Sequence, residues 1–160
     1  MMIMKSTVLF TLFLICESNN PKFVLKRISS TIGDNVLICQ KKLGFGQDII
    51  NTFLEYWYET VPLEITSFGC VVMCVLEELK LVESRGVLTQ DNAAAFLSAK
   101  GSDAYTKEIL VELYYLCLNS TTFIGNCELG LHLAKCFRAG IMMRDWIPDA
   151  DLDVYDYGYN

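Results

Sequence analysis

Six cysteines constrain this 160-residue chain more than any other feature: Cys39, Cys70, Cys74, Cys117, Cys127 and Cys136. A seventh, Cys16, lies in "MMIMKSTVLFTLFLICES", where one lysine precedes an uninterrupted apolar and hydroxyl stretch from Ser6 to Cys16. That arrangement reads as a secretory signal peptide over residues 1–18, cut near Ser18, because its apolar core is shorter than the roughly 20 residues a spanning helix needs. Residues 19–160 then read as one domain, long enough to bury a core and ending in an acidic tail from about 148. An even cysteine count in a secreted chain reads as three disulfides, and spacing alone leaves all fifteen pairings open. Zinc is the poorer explanation of those sulfurs, since there is no C-x-x-C pair and His132 is the only histidine.

Cys70 and Cys74, in "GCVVMCVLEELKL", stand four residues apart within a helical stripe continued by Val71, Val75 and Leu79. Residues at i and i+4 share a helix face one turn apart, so each sulfur can reach a different neighbouring segment and the helix becomes a double staple. Each bridge contributes about 2 to 4 kcal/mol, mostly by restricting the unfolded chain. Stapling of that kind lets a small domain keep an internal cavity that close packing normally forbids.

Elsewhere the apolar period is also helical. Ile49, Ile50, Phe53, Leu54, Trp57 and Tyr58 form one face of a helix expected to end before Pro62. Further helices are expected at about 90–99, capped by Thr89, at about 103–118 with Ile109, Leu110, Leu113, Tyr114 and Cys117 facing inward, and over 127–141. Gly44, Gly46, Gly86, Gly101, Gly125 and Gly140 fall between or at the ends of these segments. No alternating strand pattern of useful length occurs in the mature region, so the expected fold is all-α with about six helices around an apolar interior. The formal charge of −6 loses Lys5 and Glu17 together on cleavage and stays acidic, which argues against nucleic acid and anionic membrane surfaces as partners.

The intervals between the cysteines are thirty, three, forty-two, nine and eight residues. With "CVVMC" and "CELGLHLAKC" at the short intervals, the chain resembles the insect odorant-binding protein family. "FLEYWYE", "GCVVMCVLEEL" and "CFRAGIMMRDWIPDADLDV" are similar in order and spacing to segments of its moth pheromone-binding and general odorant-binding branch. The resemblance runs from about Lys26 to Val154. It implies six helices around an internal apolar cavity and the pairs Cys39–Cys74, Cys70–Cys127 and Cys117–Cys136. It also implies a pocket lined at the matching positions Ile32, Trp57, Val72 and Phe137. Two departures stand out: Leu76 occupies a place where the family often carries a ligand-binding serine, and Ile32 one where moth proteins commonly have phenylalanine. Met73, Met142 and Met143 are candidate flexible fillers of such a pocket.

The resemblance further implies acid-triggered release, with lid histidines protonating and the C-terminal tail entering the cavity. The matching lid, "SRGVLTQDNAAAF", contains no histidine, and His132 reads as structural. The tail "PDADLDVYDYGYN" interleaves four aspartates with apolar and aromatic residues, so the expectation is a switch driven by carboxylate protonation. Asn119-Ser120-Thr121 fits the N-glycosylation pattern.

As a function class, catalysis is disfavoured: there is no second histidine, no G-x-S-x-G and no Gly-rich phosphate loop. A saposin-type domain would need paired cysteines two apart. The reading that fits is a secreted carrier, without cofactor or metal, for a small hydrophobic volatile. Its implied surroundings are sensillum lymph, its implied partners an olfactory receptor at a membrane surface and, in a homodimer, a second copy. The alternative is a secreted helical interaction protein whose core is filled by its own side chains. A ligand-sized cavity distinguishes the two.

Overall fold

The computed structural model describes residues 20–120, 122 and 125–149; the signal sequence and the tail beyond Asp149, with the switch expected there, lie outside those residues. The described residues form six α-helices and no strand: α1 Pro21–Leu43, α2 Asp48–Leu54, α3 Thr66–Glu78, α4 Gln90–Ala99, α5 Ala104–Asn119 and α6 Asn126–Met142. A single-turn 3₁₀ segment, Ser84–Gly86, and an isolated antiparallel bridge between Val82 and Leu88 shape the α3–α4 connection.

The longest helix, α1, was not delimited by periodicity, yet its ends are chemically explicit. Asn20 caps it by accepting from the Lys22 amide at 3.0 Å, and Pro21 occupies the first turn, where no amide is needed. Gly44 ends it at φ +72°, with the Gly44 and Phe45 amides donating to the Lys41 and Gln40 carbonyls, the paired pattern of a left-handed glycine cap. Val24, Leu25, Ile28, Ile32, Val36 and Cys39 then recur along one inward face.

Three sequence expectations are corrected. The helix from Ile49 stops at Leu54, not at Tyr58; residues 55–58 form tight turns, with the Tyr56 amide bonded to Phe53 and the Tyr58 amide to Glu55. Thr89 occupies the N-cap position of α4 without making a side-chain cap; its amide instead donates to the Leu81 carbonyl at 2.9 Å. Gly140 lies inside α6, where a Cβ would stand 2.3 Å from a Leu113 methyl, so packing against α5 sets that residue.

The disulfides are Cys39–Cys74, Cys70–Cys127 and Cys117–Cys136, with S–S distances of 2.03, 2.03 and 2.00 Å. These are the pairs the resemblance implies. Through them α3 is tied to α1 by Cys74 and to α6 by Cys70, and α5 is tied to α6. Of the three bridged pairs the one joining α3 to α6 is the closest: the Cα atoms of Cys70 and Cys127 are 4.0 Å apart. Two glycines permit it, since a Cβ at Gly69 would lie 1.9 Å from the Cys127 carbonyl oxygen and one at Gly130 would lie 2.1 Å from the Gly69 oxygen.

Candidate functional site

The buried apolar side chains divide into two clusters. One gathers Val24, Leu25, Leu110, Leu113, Tyr114 and Ile141, among others; the second gathers Val36, Ile49, Phe68, Val71 and Val75 around the Cys39–Cys74 bridge. A cavity of about 190 Å³, partly open, lies between them, lined from both. One ordered water needs roughly 10–15 Å³ on the comparable measure, so this is a ligand-sized void and not a packing defect.

All four residues singled out in the sequence reach its wall. Ile32 comes from α1 and Val72 from α3, both half-buried against the second cluster; Trp57 and Phe137 pack against the first. Leu76 also lines the cavity, so where the family often has a serine this wall is aliphatic. The methionines do not line it: Met73 is packed in the core and Met143 is exposed.

Trp57 owes its position to the premature end of α2. The turn at 55–58 swings the indole toward α1, where its Nε1–H donates to the Ser29 hydroxyl at 3.0 Å. The neighbouring Tyr56 ring meets it edge-on at 4.7 Å between centroids. The Tyr56 hydroxyl donates to the Ala134 carbonyl at 2.8 Å, and burial pushes its phenol well above the ordinary tyrosine range, although the Arg138 guanidinium acts in the opposite sense. A neutral, hydrogen-bonded phenol therefore lines the wall around neutral pH.

Arg138 holds this turn from α6. Its Nη1 lies 3.1, 3.3 and 3.0 Å from the carbonyl oxygens of Tyr56, Tyr58 and Val61, and the guanidinium stands 5.9 Å from the Tyr56 ring centroid. Sequence reasoning missed this residue because nothing local marks an arginine as the partner of carbonyls some 80 positions away. It missed Ser29 for a similar reason, its identity as a lining residue depending on the unassigned α1. On the far wall, Tyr114 donates its hydroxyl to the Gly86 carbonyl at 2.8 Å, and burial raises its phenol as well, with Tyr115 adding to the rise.

His132 has a serine neighbour that the sequence did not suggest. Its Nε2 is 2.7 Å from the Ser120 Oγ, but also 3.0 Å from the Cys117 carbonyl oxygen, to which Ser120 itself donates at 2.8 Å. A ring nitrogen facing a carbonyl must carry its proton, so Nε2 donates and cannot act as a base toward Ser120. The arrangement closes the C-terminal end of α5 onto α6. Among the described residues no group of three or more metal-ligating side chains is placed to hold an ion, and no helix is long and apolar enough to cross a membrane.

An all-α, three-disulfide frame around an apolar cavity is the architecture of a helical ligand-binding protein. The chain belongs to the PBP/GOBP family, whose profile matches residues 22–140. It is 27% identical over 130 residues to pheromone-binding protein 2 of Epiphyas postvittana, a match covering 81% of this chain and 79% of that one. It is 20% identical over 135 residues to general odorant-binding protein 1 of Heliothis virescens, covering 84% and 82%. Among solved structures, that of Epiphyas postvittana pheromone binding protein 3 is similar with a TM-score of 0.61 at 29% identity, covering 69% of this chain and 95% of that one.

Proposed function

We propose that this protein is a secreted carrier that takes a small hydrophobic odorant or pheromone into its cavity, keeps it dissolved in an aqueous lymph and delivers it to an olfactory receptor at a membrane surface. The observation that carries the reading is the apolar 190 Å³ cavity, in a family member whose Ile32, Trp57, Val72 and Phe137 all reach the wall. Those four side chains are the proposed ligand contacts. Family membership and the leader-like residues 1–18 support secretion; the domain would then be residues 19–160.

The energetics are those of burial. A methylene moved out of water contributes about 0.8 kcal/mol, so a chain of about ten can supply the roughly 8 kcal/mol of micromolar affinity without a polar contact. Nothing in the wall supplies a nucleophile paired with a base, which supports a carrier over a catalyst. The cavity also weighs against a helical interaction factor with a filled core.

The test is competition binding with a fluorescent apolar reporter and purified residues 19–160, titrated with long-chain alcohols, aldehydes, acetates and plant volatiles. Micromolar displacement by a structurally related subset is expected. A folded, fully disulfide-bonded sample that takes up no reporter would overturn the carrier reading.

A further inference from the structure

Asn119-Ser120-Thr121 is the single Asn-x-Ser/Thr sequence in the chain; no other asparagine has serine or threonine two positions on. Asn119 is the last residue of α5 and is exposed, and among the described residues its side-chain amide has no hydrogen-bond partner. Its neighbour Ser120 instead turns its hydroxyl onto the Cys117 carbonyl at 2.8 Å. Asn119 stands on a shallow surface groove with Gln90, Val111, Glu112, Tyr115 and Leu116. The floor of that groove is mostly apolar: Leu116 is 66% exposed, and Tyr115 is half-buried, its hydroxyl held by the Gln90 Nε2 donor at 3.1 Å. Helical side chains lean toward the N-terminus of their helix, so a group carried on Asn119 is laid over the residues three and four positions earlier, Leu116 and Tyr115.

We propose that Asn119 is an N-glycosylation site, and that the first sugar of its glycan lies over Tyr115 and Leu116 and covers the groove. The inference rests on the secretion part of the carrier reading, because the donor, an oligosaccharide on a polyprenyl diphosphate, and the membrane transferase that uses it are met on the secretory route. In the transfer the Asn119 amide nitrogen bonds to the anomeric carbon of the sugar and the bond from that carbon to the diphosphate oxygen breaks. The amide gives up one proton, and the polyprenyl diphosphate leaves. The fold does not close the site first: Cys136, which ties α6 to α5 through Cys117, follows Asn119 in the chain and so enters the secretory route after it. An N-acetylhexosamine turns one face of C–H bonds to an apolar floor and its hydroxyls to water, so the cover buries apolar area without stranding a polar group. Asn119 does not line the ligand cavity, which the modification therefore leaves as it is.

The experiment is expression of the full chain in insect cells, with the protein from the medium read by intact mass and by peptide mapping after an N-glycan amidase, which converts a glycan-bearing asparagine to aspartate. Wild type is expected to carry a glycan at Asn119. Asn119→Gln, which puts a better helix former at an exposed position, and Thr121→Val lose the glycan and keep the three disulfides. Secreted, disulfide-bonded wild type with an unmodified Asn119 would overturn the site while leaving the carrier intact. If the full chain stays in the cell with residues 1–18 uncut, the secretion reading fails, and residues 19–160 behind an unrelated secretory leader decide the site by the same masses. The cover is read by hydroxyl-radical labelling of the glycosylated protein against Asn119→Gln. Tyr115 and Leu116 are expected to lose labelling in the glycosylated form, while Tyr58 and Tyr105, exposed elsewhere, are labelled equally in both. Equal labelling at all four residues would overturn the cover and leave the glycan standing in solvent.

Discussion

Arg138 shows how one side chain can define a wall it does not touch. Its guanidinium gathers three carbonyls of residues 56–61, and that turn presents Trp57 to the cavity. Hydrogen bonds to charged groups contribute up to about 1.5–3 kcal/mol, and three, part-buried or exposed, converge here. Arg138→Ala is expected to lower stability by roughly 2 kcal/mol, read as a shift in denaturant midpoint without a change in slope. It should also weaken every ligand by a similar factor, because a loosened indole opens the cavity irrespective of head group. Arg138→Lys should restore part of the loss, since all three carbonyls meet the single Nη1 nitrogen and an ammonium also carries three N–H donors. None of this is visible in the sequence, where Arg138 is merely the second residue after Cys136.

At the level of elements, the sequence was legible where one face of a helix repeats and opaque where an element ends for tertiary reasons. The segments expected at 103–118 and 127–141 appear as Ala104–Asn119 and Asn126–Met142. The overrun to Tyr58 arose because Trp57 and Tyr58 continue the apolar period of α2, although Trp57 faces the cavity from a turn and Tyr58 is exposed. Gly69 and Gly130 were silent as well, their meaning existing only once α3 and α6 are laid across each other. The double staple, by contrast, followed from the i and i+4 placement of Cys70 and Cys74 alone, while the choice among pairings required the resemblance. The three bridges close loops of unequal length, with sequence separations of 57, 35 and 19. Chain-entropy arithmetic assigns them about 4.2, 3.8 and 3.3 kcal/mol respectively. Paired Cys→Ala substitutions measured by chemical denaturation are therefore expected to destabilise in the order Cys70–Cys127, Cys39–Cys74, Cys117–Cys136. The first should also exceed its arithmetic, since its 4.0 Å approach is the closest of the three bridged pairs. A different rank order would show that native-state packing, not loop closure, sets the contribution of each bridge.

Across the whole molecule the cross-links are unevenly distributed. α1, α3, α5 and α6 each carry a bridged cysteine, whereas α2 and α4 carry none. α4 lends Ala93, Phe96 and Leu97 to the cavity wall, and its polar ties are single side-chain contacts such as Asn92 to the Lys80 carbonyl and Lys107 to the Ser98 hydroxyl. Segments held by few covalent or buried contacts open at lower free energy than the rest. Hydrogen exchange of the ligand-free protein should accordingly show the amides of 90–99 exchanging well ahead of those in α3 and α6, and ligand binding should slow them selectively. Uniform protection across all helices would place ligand passage elsewhere.

The glycine-mediated contact of α3 with α6 has a corollary for discrimination. Val72 and Phe137 stand on the two helices that are welded together, while Phe96 stands on α4, one of the two helices that no bridge restrains. A guest molecule thus meets one unyielding boundary and one compliant one. In the proposed carrier, the end of a hydrocarbon seated against the stiff side is expected to be measured more closely in length than the end facing the pliant side.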